Sequence, residues 1–342
     1  MKYFENFLLD IDLKKIFIFL FIIFLIHFFF INIYRKLNLF DLPNIRKKHS
    51  IPVPFSGGAT LLLTLYISVF LFDYSTRLNF LIIISTIIFF AGLLDDLGKI
   101  TIFNRILLQC VSCVILFYYG IKVTDIGYFQ SIDKIISFGS FSILFSIFCI
   151  IITINAFNFF DGIDGNLSSI VATSIFFFLL FSNNYSNSYF LITIFLFSLT
   201  FLFFNFGIIF GFKNFLGDSG SNLLGFIYAG LMIDSAGTTF RTIEPGLIIW
   251  LVPLIYFDFL HLIIYRLKNA KSPHLPDENH IHHVFNRYYN KKLVVLILTT
   301  LNITFSLIGY FFYKFFSAEG SIILFTLMFF LYYYFKNILL RK

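Results

Sequence analysis

Charged residues are scarce in this sequence. Asp, Glu, Lys and Arg together make up 13% of its 342 residues, and several stretches run for more than 15 residues without any of them. Apolar stretches of this length can cross the roughly 30 Å hydrocarbon core of a bilayer. The scarcity of charge therefore argues against a soluble protein and predicts one with many membrane-spanning helices.

Cysteine is also scarce, and its positions argue against a zinc site. Cys110 and Cys113 form a CxxC pair, but no second pair or nearby histidine completes a metal-binding set. Cys149, like the other two, lies inside an apolar run. We therefore interpret all three cysteines as small packing residues.

The chain contains no internal repeat and no soluble segment, so residues 1–342 are predicted to form a single integral-membrane domain. Its predicted fold class is all-α, a polytopic bundle of about 11 transmembrane helices. The predicted spans are 16–33, 55–72, 80–94, 106–121, 138–157, 167–182, 189–210, 221–234, 246–265, 293–313 and 320–335. Several are shorter than the usual ~20 residues, which is typical of helices that end in a polar, protein-lined cavity.

Lysine and arginine predict the orientation of this bundle, because loops rich in these residues stay in the cytoplasm. In the eleven-span arrangement one side collects 17 of the 25 Lys and Arg residues, with Lys336 counted among the loop charges. The N-terminus is then outside and the C-terminus in the cytoplasm. Loop charges of this kind account for the net charge of +7, so nucleic acid is not an expected partner.

Polar residues are concentrated in four clusters, AGLLDDLGK (91–99), NAFNFFDGIDGN (155–166), FLGDSGS (215–221) and HLPDENHIHH (274–283). Each cluster lies between two spans on the predicted cytoplasmic side. Singly, such clusters also fit an ordinary helix cap or turn. The first three clusters alone gather five carboxylates at one membrane face, which is typical of a functional cavity.

The second cluster has a periodic pattern. Asn155, Asn158, Asp161 and Asp164 recur every three residues. In a helix this spacing would place all four side chains along one face. The pattern therefore predicts a helical row of polar groups.

The residue types in the clusters indicate the chemistry. Carboxylates suit Mg²⁺ or Mn²⁺, which typically bind one or two of them and complete their shell with substrate phosphates and water. Glycines beside acids let backbone N–H groups approach phosphates. The HIHH segment lacks the cysteines or HExxH pattern of a zinc site, so contact with phosphate is the preferred interpretation. These residues predict a metal-assisted transfer that involves a diphosphate.

With these motifs in this order, the chain resembles the polyprenyl-phosphate N-acetylhexosamine-1-phosphate transferases. The similarity covers about residues 35–290, from DLPNIRKKHSIPVPFSGG (41–58) to PLIYFDFLHLIIYRLKNAKSPHLPDENHIHH (253–283). The resemblance implies ten or eleven helical spans, a periplasmic N-terminus and a cytoplasmic active site, in the inner membrane of a bacterium. It also implies transfer of a sugar 1-phosphate from a UDP-sugar to undecaprenyl phosphate, with Mg²⁺ or Mn²⁺ as cofactor and UMP as by-product. The lipid product would start a cell-surface glycan.

The resemblance further implies roles for individual residues, with Asp95 or Asp96 as a base near the lipid phosphate. The implied catalytic residues are Asp95, Asp96, Asp161, Asp164, His280, His282 and His283. The implied metal ligands are Asp218, Asp161 and Asp164. The implied substrate-binding residues are Asn155, Asn158, Lys48, Arg105 and Asp258. For Asp258 a buried pair with His261, one turn later, is an equal alternative. One departure from the family pattern is Asn166, where an apolar residue commonly follows DGIDG.

The donor sugar and the assembly stay open. The histidine segment most resembles the branch that uses UDP-GlcNAc, while N-acetylfucosamine, N-acetylquinovosamine or MurNAc-pentapeptide would be other UDP-N-acetylhexosamine donors. An ion-coupled transporter is the alternative from another class, but it predicts acids near the bilayer midplane and an inverted repeat. Direct attack by the lipid phosphate is preferred to a covalent aspartyl intermediate. Membrane lipids are expected partners, and a homodimer is left open.

Overall fold

The computed structural model describes residues 11–43, 51–182, 187–209, 211–237, 241–270 and 279–341. Helix makes up 74% of it, and the strands form two small antiparallel pairs. The α-helices are α1 (Leu13–Lys36), α2 (Gly57–Leu71), α3 (Thr76–Asp96), α4 (Ile102–Tyr118), α5 (Ser142–Phe160), α6 (Asn166–Phe181), α7 (Ser188–Asn205), α8 (Gly217–Ala236), α9 (Pro245–Ile248), α10 (Pro253–Lys268), α11 (Ile281–Phe285) and α12 (Lys291–Arg341). The strands are β1 (Phe40–Asp41), β2 (Val53–Pro54), β3 (Asp125–Phe129) and β4 (Lys134–Ser137), and a 3₁₀ turn covers Gly139–Phe141.

Short polar residues determine where several helices begin. The side chain of Asp12 accepts a hydrogen bond from the backbone N–H of Lys15, at the start of α1. Ser75 and Thr101 cap α3 and α4 in the same way. Such caps satisfy backbone donors that the first turn of a helix leaves unpaired.

The predicted spans correspond to helices, with one difference near the C-terminal end. The ninth span is broken, because the chain leaves helical geometry between α9 and α10 and restarts at Pro253, a residue suited to the first turn of a helix. The tenth and eleventh spans correspond to the two helical halves of α12, which are separated by non-helical backbone at Ser317 (φ 54°, ψ −161°). Trp250 contacts both halves of α12, since its ring lies against Gly309 and its indole N–H donates to Ser321 Oγ at 2.8 Å. The two halves therefore form a hairpin against the same part of the bundle.

Five helical segments among the described residues are long and apolar enough to cross a membrane. They are Leu13–Lys36, Thr76–Asp96, Gly139–Phe160, Ser188–Asn205 and Lys291–Arg341. Gly57–Leu71, Ile102–Tyr118 and Asn166–Phe181 are shorter apolar helices. Helices α1 and α12 leave large apolar side chains such as Phe21 and Phe330 exposed, as a lipid-facing surface requires. The chain is thus an all-α, multi-pass membrane protein.

Helix α8 is the buried centre of the bundle and packs against α2, α3 and α5. Glycine permits this close packing at its N-terminal end. A Cβ atom on Gly92 of α3 would lie 2.5 Å from Ser219 Cα, and one on Gly58 of α2 would lie 2.7 Å from the backbone nitrogen of Gly220. Small residues at helix contacts allow such approach of backbones in a membrane bundle. As a result, the C-terminal end of α3 lies directly against the N-terminal end of α8.

The described helices run between two ends of the bundle. At one end, called the acidic end below, the last turns of α3 and α5 meet the first turns of α6, α8 and α12. At the opposite end, Asp234 at the end of α8 pairs with Arg77 at the start of α3, with 3.1 Å between Nε and Oδ1. Arg241 pairs there with Asp125 of β3 at 2.6 Å. The acidic end is where the polar sequence clusters come together.

Candidate active site

Asp96 forms the junction between α3 and α8. Its two carboxylate oxygens accept hydrogen bonds from the backbone N–H groups of Asp218 (2.7 Å) and Ser219 (2.9 Å). These are among the unpaired donors at the positive end of the helix dipole, where a carboxylate is stabilised. Asp96 thereby brings the LLDDLGK and FLGDSGS clusters into direct contact. Its implied role as a base stays a prediction.

The neighbouring residue Asp95 has a different partner. Arg105, near the start of α4, donates from Nη1 to Asp95 Oδ2. The Arg105 side chain is almost completely buried, which favours a stable pairing. Two adjacent acids are therefore held by different groups, Asp96 by a helix terminus and Asp95 by a guanidinium.

Asn158, in the last turn of α5, contacts the first turn of α8. Its amide nitrogen donates to Asp218 Oδ1 at 2.7 Å and to Ser221 Oγ at 2.9 Å. The amide therefore orients the Asp218 carboxylate at the acidic end. This places two predicted site residues in contact although 60 positions separate them in the chain.

The predicted helical row is wrong beyond Asn158, because α5 ends at Phe160. Asp161 has a non-helical ψ of 48°, and Gly165 has a left-handed φ of 82°. The two acids thus lie in a loop. Asn155 and Asn158 both lie on α5, and the amide nitrogen of Asn155 donates to the Ile151 carbonyl at 2.8 Å.

Asn166 supports this loop. It is buried, and its amide nitrogen donates to the Phe160 carbonyl at 2.8 Å, so it satisfies a carbonyl at the end of α5. The departure from the family pattern is therefore explained locally: the polar residue fastens the DGIDG loop to the preceding helix.

Asp164 lies at the edge of the site between two lysines. Its Oδ2 atom is 2.8 Å from Lys213 Nζ and 3.3 Å from Lys291 Nζ. Lys213 precedes α8 and Lys291 begins α12, so this carboxylate connects three parts of the chain. The surplus of positive charge beside it suits an anionic ligand.

The acids at this end influence one another. The pKa of Asp161 is raised to about 7, first by loss of hydration and then by the negative charges of Asp218, Asp164 and Asp96. Like charges held together in this way disfavour ionisation, and a bound cation would relieve the repulsion. The electrostatics of the cluster therefore fit a divalent metal ion.

The described part of the histidine segment, residues 279–283, folds over the DGIDG loop. The His282 ring is completely buried, with its edge against Phe160 (centroids 5.7 Å apart) and its face near His283 (4.3 Å). A Cβ atom on Gly162 would lie only 2.0 Å from His282 Nε2. The loop can therefore accept this ring only because residue 162 is glycine.

The imidazole of His282 is a polar group that is completely buried. Burial lowers its pKa well below the usual range, and the nearby His280 and His283 lower it further. Neither ring nitrogen has a hydrogen-bond partner among the described residues. Unpaired buried polar atoms are rare in proteins, and they are a reason to expect a ligand or water at this position.

Asp258 anchors the start of the histidine segment. Its carboxylate accepts hydrogen bonds from His280 Nδ1 (3.0 Å) and from the backbone N–H of Ile281 (3.0 Å). Tyr332 Oη and Lys336 Nζ, both on α12, also donate to it, at 2.8 and 2.6 Å. Four donors therefore bind the Asp258 carboxylate, and its expected contact with substrate stays a prediction. The Nε2 atom of His261 lies 3.3 Å from Asn337 Oδ1.

Two sets of residues at the acidic end are candidates for metal binding. Among the described residues, the three whose potential ligand atoms all lie within 4.8 Å of one another are Asp258, His280 and His282. This set is unsuited to a cation, because the ammonium group of Lys336 already lies 2.6 Å from the Asp258 carboxylate. The acids Asp218 and Asp161 fit better, since Mg²⁺ needs only one or two carboxylates and takes its other ligands from phosphate and water.

Comparison with known proteins agrees with this arrangement. Residues 78–236 match the model of glycosyl transferase family 4. Proteins named undecaprenyl-phosphate alpha-N-acetylglucosaminyl 1-phosphate transferase are similar over most of the chain. The one from Thermotoga maritima is 30% identical over 304 residues, covering 85% of this chain and 89% of the relative. The one from Salmonella typhi is 30% identical (77% and 73% covered), and the one from Escherichia coli K12 is 29% identical (85% and 81% covered).

The chain belongs to glycosyl transferase family 4. The resemblance inferred from the ordered motifs is thereby confirmed. The matched region contains the LLDDLGK, DGIDG and FLGDSGS clusters and ends before the histidine segment. Of the predicted site residues, Lys48 lies outside the described part of the chain, as do residues 274–278 of the histidine segment.

Sequence reasoning missed several residues that assemble this family's site here. Asn205 donates to the Asn214 carbonyl at 2.8 Å and accepts from the backbone N–H of Gly165, so it joins the DGIDG loop to the segment before α8. Ser56 donates to Asn214 Oδ1 at 3.0 Å and fixes the same segment. From the sequence, Lys336 is counted among the loop charges, whereas the structure buries it in α12. An isolated lysine within the apolar run FLYYYFKNILL is the signal that could have identified it.

Proposed function

We propose that this protein transfers GlcNAc 1-phosphate from UDP-GlcNAc to undecaprenyl phosphate in a Mg²⁺-dependent reaction and releases UMP. Its relatives are named for a transfer of this kind to undecaprenyl phosphate. The observation that carries the proposal is the acidic end, where Asp96, Asp161, Asp164 and Asp218 meet beside the buried, unpartnered nitrogens of His282. An anionic acceptor and an anionic donor can react there only if their charges are neutralised.

The reaction exchanges one phosphoanhydride for another. An oxygen of the lipid phosphate forms a bond to the sugar-bearing phosphorus of the donor, and the bond from that phosphorus to the bridging oxygen breaks. The bridging oxygen leaves with UMP. The step is close to thermoneutral, because the bonds made and broken are of the same type.

The protein's own groups prepare this exchange. Asp218 and Asp161 would hold the divalent ion, which supplies neutralisation of the phosphate charges when bound. Asn158 orients Asp218 through its amide, and Asp96 keeps the first turn of α8 in place. Lys213 and Lys291 provide positive charge at the edge of the site. His282 offers ring nitrogens that can bond to the diphosphate or the sugar.

We also propose eleven membrane crossings, with the acidic end in the cytoplasm of a bacterial cell and the N-terminus in the periplasm. UDP-sugars are cytoplasmic substrates, so a site that uses them has to face that compartment. The distribution of Lys and Arg supports the same orientation.

The assay uses membranes or detergent-purified protein with undecaprenyl phosphate, Mg²⁺ and one UDP-sugar at a time. We expect UMP and a lipid with the mass of a diphosphate-linked N-acetylhexosamine from UDP-GlcNAc, and no turnover of UDP-MurNAc-pentapeptide. EDTA should abolish the reaction and added Mg²⁺ restore it. Release of UDP in place of UMP would refute the proposal, since it would mean transfer of the sugar without its phosphate.

A further inference from the structure

The last helix places a buried lysine beside the histidine segment. Lys336 Nζ lies 2.6 Å from Asp258 Oδ1, and each side chain is only 1% exposed. Removing two charges from water is costly, and a buried ion pair often stabilises a fold no better than apolar residues of similar volume. Stability alone therefore does not explain the Lys336–Asp258 pair, and the residues that it holds in place can explain it.

The pair holds three elements together. Asp258 belongs to α10, Lys336 and Tyr332 to the second half of α12, and the other two donors, His280 Nδ1 and the Ile281 N–H, to the start of the histidine segment. A neutral histidine ring carries one N–H hydrogen. Because Nδ1 of His280 must carry it in order to donate to Asp258, Nε2 carries no hydrogen. The carboxylate thus sets both the position and the tautomer of this ring.

The histidine segment is positioned from this anchor. His280 stacks on His282, with ring centroids 5.2 Å apart, and His282 lies against Gly162 of the DGIDG loop. A shift of His280 would therefore be transmitted to the ring that lies against the DGIDG loop. Displacement of a catalytic group by about 1 Å can cost roughly 100-fold in rate.

We propose that Lys336 is a positioning residue of the transferase site: its ammonium group binds the Asp258 carboxylate, and through Asp258 it fixes His280 and the ring of His282 against the DGIDG loop. The inference rests on the proposed function and adds the last helix to the active site. Lys336 itself touches neither the acids nor the DGIDG loop in the contacts described.

Loss of Lys336 changes the charge balance in a defined way. The titratable groups that face Asp258 are His280 and His282 from the histidine segment and Lys336 and Tyr332 from α12. Without Lys336, the buried Asp258 carboxylate loses the cation that lies 2.6 Å from it. Its bonds to His280 and Ile281 should then weaken, and the histidine segment should be held less firmly.

The experiment compares Lys336→Met, Asp258→Asn, the double variant and Lys314→Met with the wild type. Lys314 is the matched control, because it lies on the same helix but is exposed, over the ring of Tyr310. The kcat and KM for UMP release are measured at one fixed pH, per amount of folded protein. Hydrogen exchange of peptides covering residues 279–290 is measured at the same pH.

We expect Lys336→Met to lose roughly 10- to 100-fold in kcat with little change in KM, as for other residues that orient a functional histidine through a carboxylate. Exchange in residues 279–290 should be faster in this variant than in the wild type at the same pH. The double variant should recover most of the activity, because Asn can still accept one hydrogen bond and no charge is left unpaired. Lys314→Met should behave like the wild type.

Two results would overturn the inference: a folded Lys336→Met protein with wild-type rates and exchange, or one that is impaired in rate, exchanges like the wild type and is not improved by Asp258→Asn. Should Lys336→Met fail to fold, the double variant decides, and a folded but inactive double variant counts against the inference. Absence of UMP release from the wild type would instead refute the proposed function. In that event hydrogen exchange alone judges the positioning by Lys336.

Discussion

At the scale of single residues, Asp218 carries the metal hypothesis. Replacing Asp218 with Asn keeps the side-chain volume and removes the anionic oxygen that a divalent ion prefers. We expect transfer to fall about 100-fold or more, because a metal ion supplies several kcal/mol of charge stabilisation. The Mg²⁺ concentration needed for half-maximal rate should rise. UMP release during a Mg²⁺ titration provides both values.

The matched control is Asp234→Asn, the same substitution at the other end of α8. Asp234 pairs with Arg77 far from the acidic end, so this change should reduce thermal stability but not the rate per folded molecule. Near-normal transfer by Asp218→Asn would rule out a metal held by that carboxylate.

A substitution at Gly162 tests whether activity depends on the position of the His282 ring. Replacing Gly162 with Ala would place a methyl carbon 2.0 Å from His282 Nε2, so the ring would have to move. We expect about a 100-fold loss of activity in a protein that still folds, since misplacement of about 1 Å has this effect on catalytic groups. Gly237→Ala is the comparison, because the nearest atom to its Cβ would be 3.3 Å away, at the opposite end of the bundle. Equal activity of the two variants would mean that the position of His282 is unimportant.

Particular residues show how far sequence could predict this site. The contact between Asp96 and Asp218 was foreseeable, because both lie in polar clusters expected on the same side of the membrane. The helical row from Asn155 to Asp164 was not correct, because the period of three does not reveal that the glycines of DGIDG end the helix. The sequence suggests His261, one turn away, as a partner of Asp258. Lys336 lies 78 positions later, and local sequence patterns do not predict contacts over such a separation.

At the scale of elements, the histidine segment gives the protein a sensitivity to acid. The pKa of His282 lies well below 6.5 in the folded state, whereas in the unfolded chain it is near 6.5. Below about pH 6.5 the imidazole of His282 therefore binds a proton in the unfolded chain but not in the folded chain. Stability should be fully present above this pH and should fall as the pH drops below it, by at most about 1.4 kcal/mol per pH unit for one such group.

Thermal unfolding in detergent between about pH 7 and about pH 5 can detect this loss. His282→Gln retains a polar side chain but cannot be protonated, so its melting temperature should fall less over the same range. An unchanged pH dependence in this variant would show that His282 is not the responsible group. The second half of α12 is connected to the histidine segment through Asp258. Its residues Tyr332 and Lys336 donate to this carboxylate, which also binds His280.

At the scale of the whole molecule, the bundle places nearly all its chemistry at one end, and the orientation of that end can be measured. Lys134 of β4 is exposed at the opposite end and Tyr288 is exposed beside the histidine segment. In a variant without Cys110, Cys113 and Cys149, Lys134→Cys should react with an impermeant maleimide in intact cells. Tyr288→Cys should react only after the membrane is opened. The reverse pattern would invert the proposed orientation.

The positions of the membrane helices are predictable from the sequence because uncharged runs identify such helices directly, as α1 and α7 illustrate. Their ends and interruptions are less predictable. The break before Pro253 lies inside one apolar run, and the turn at Ser317 brings the halves of α12 against the same tryptophan. Both depend on how Trp250 and its neighbours pack, which hydropathy does not encode.

The anchoring of the histidine segment by α12 has a consequence for biosynthesis. Lys336 is translated 240 residues after Asp96. At about 5–20 residues per second, roughly 10–50 seconds separate their emergence from the ribosome. Throughout that interval the growing chain presents its acids without the lysine that aligns the histidines. If Lys336 acts as proposed, a nascent chain consumes the lipid carrier roughly 10- to 100-fold more slowly, and full catalytic competence begins only with insertion of the last helix.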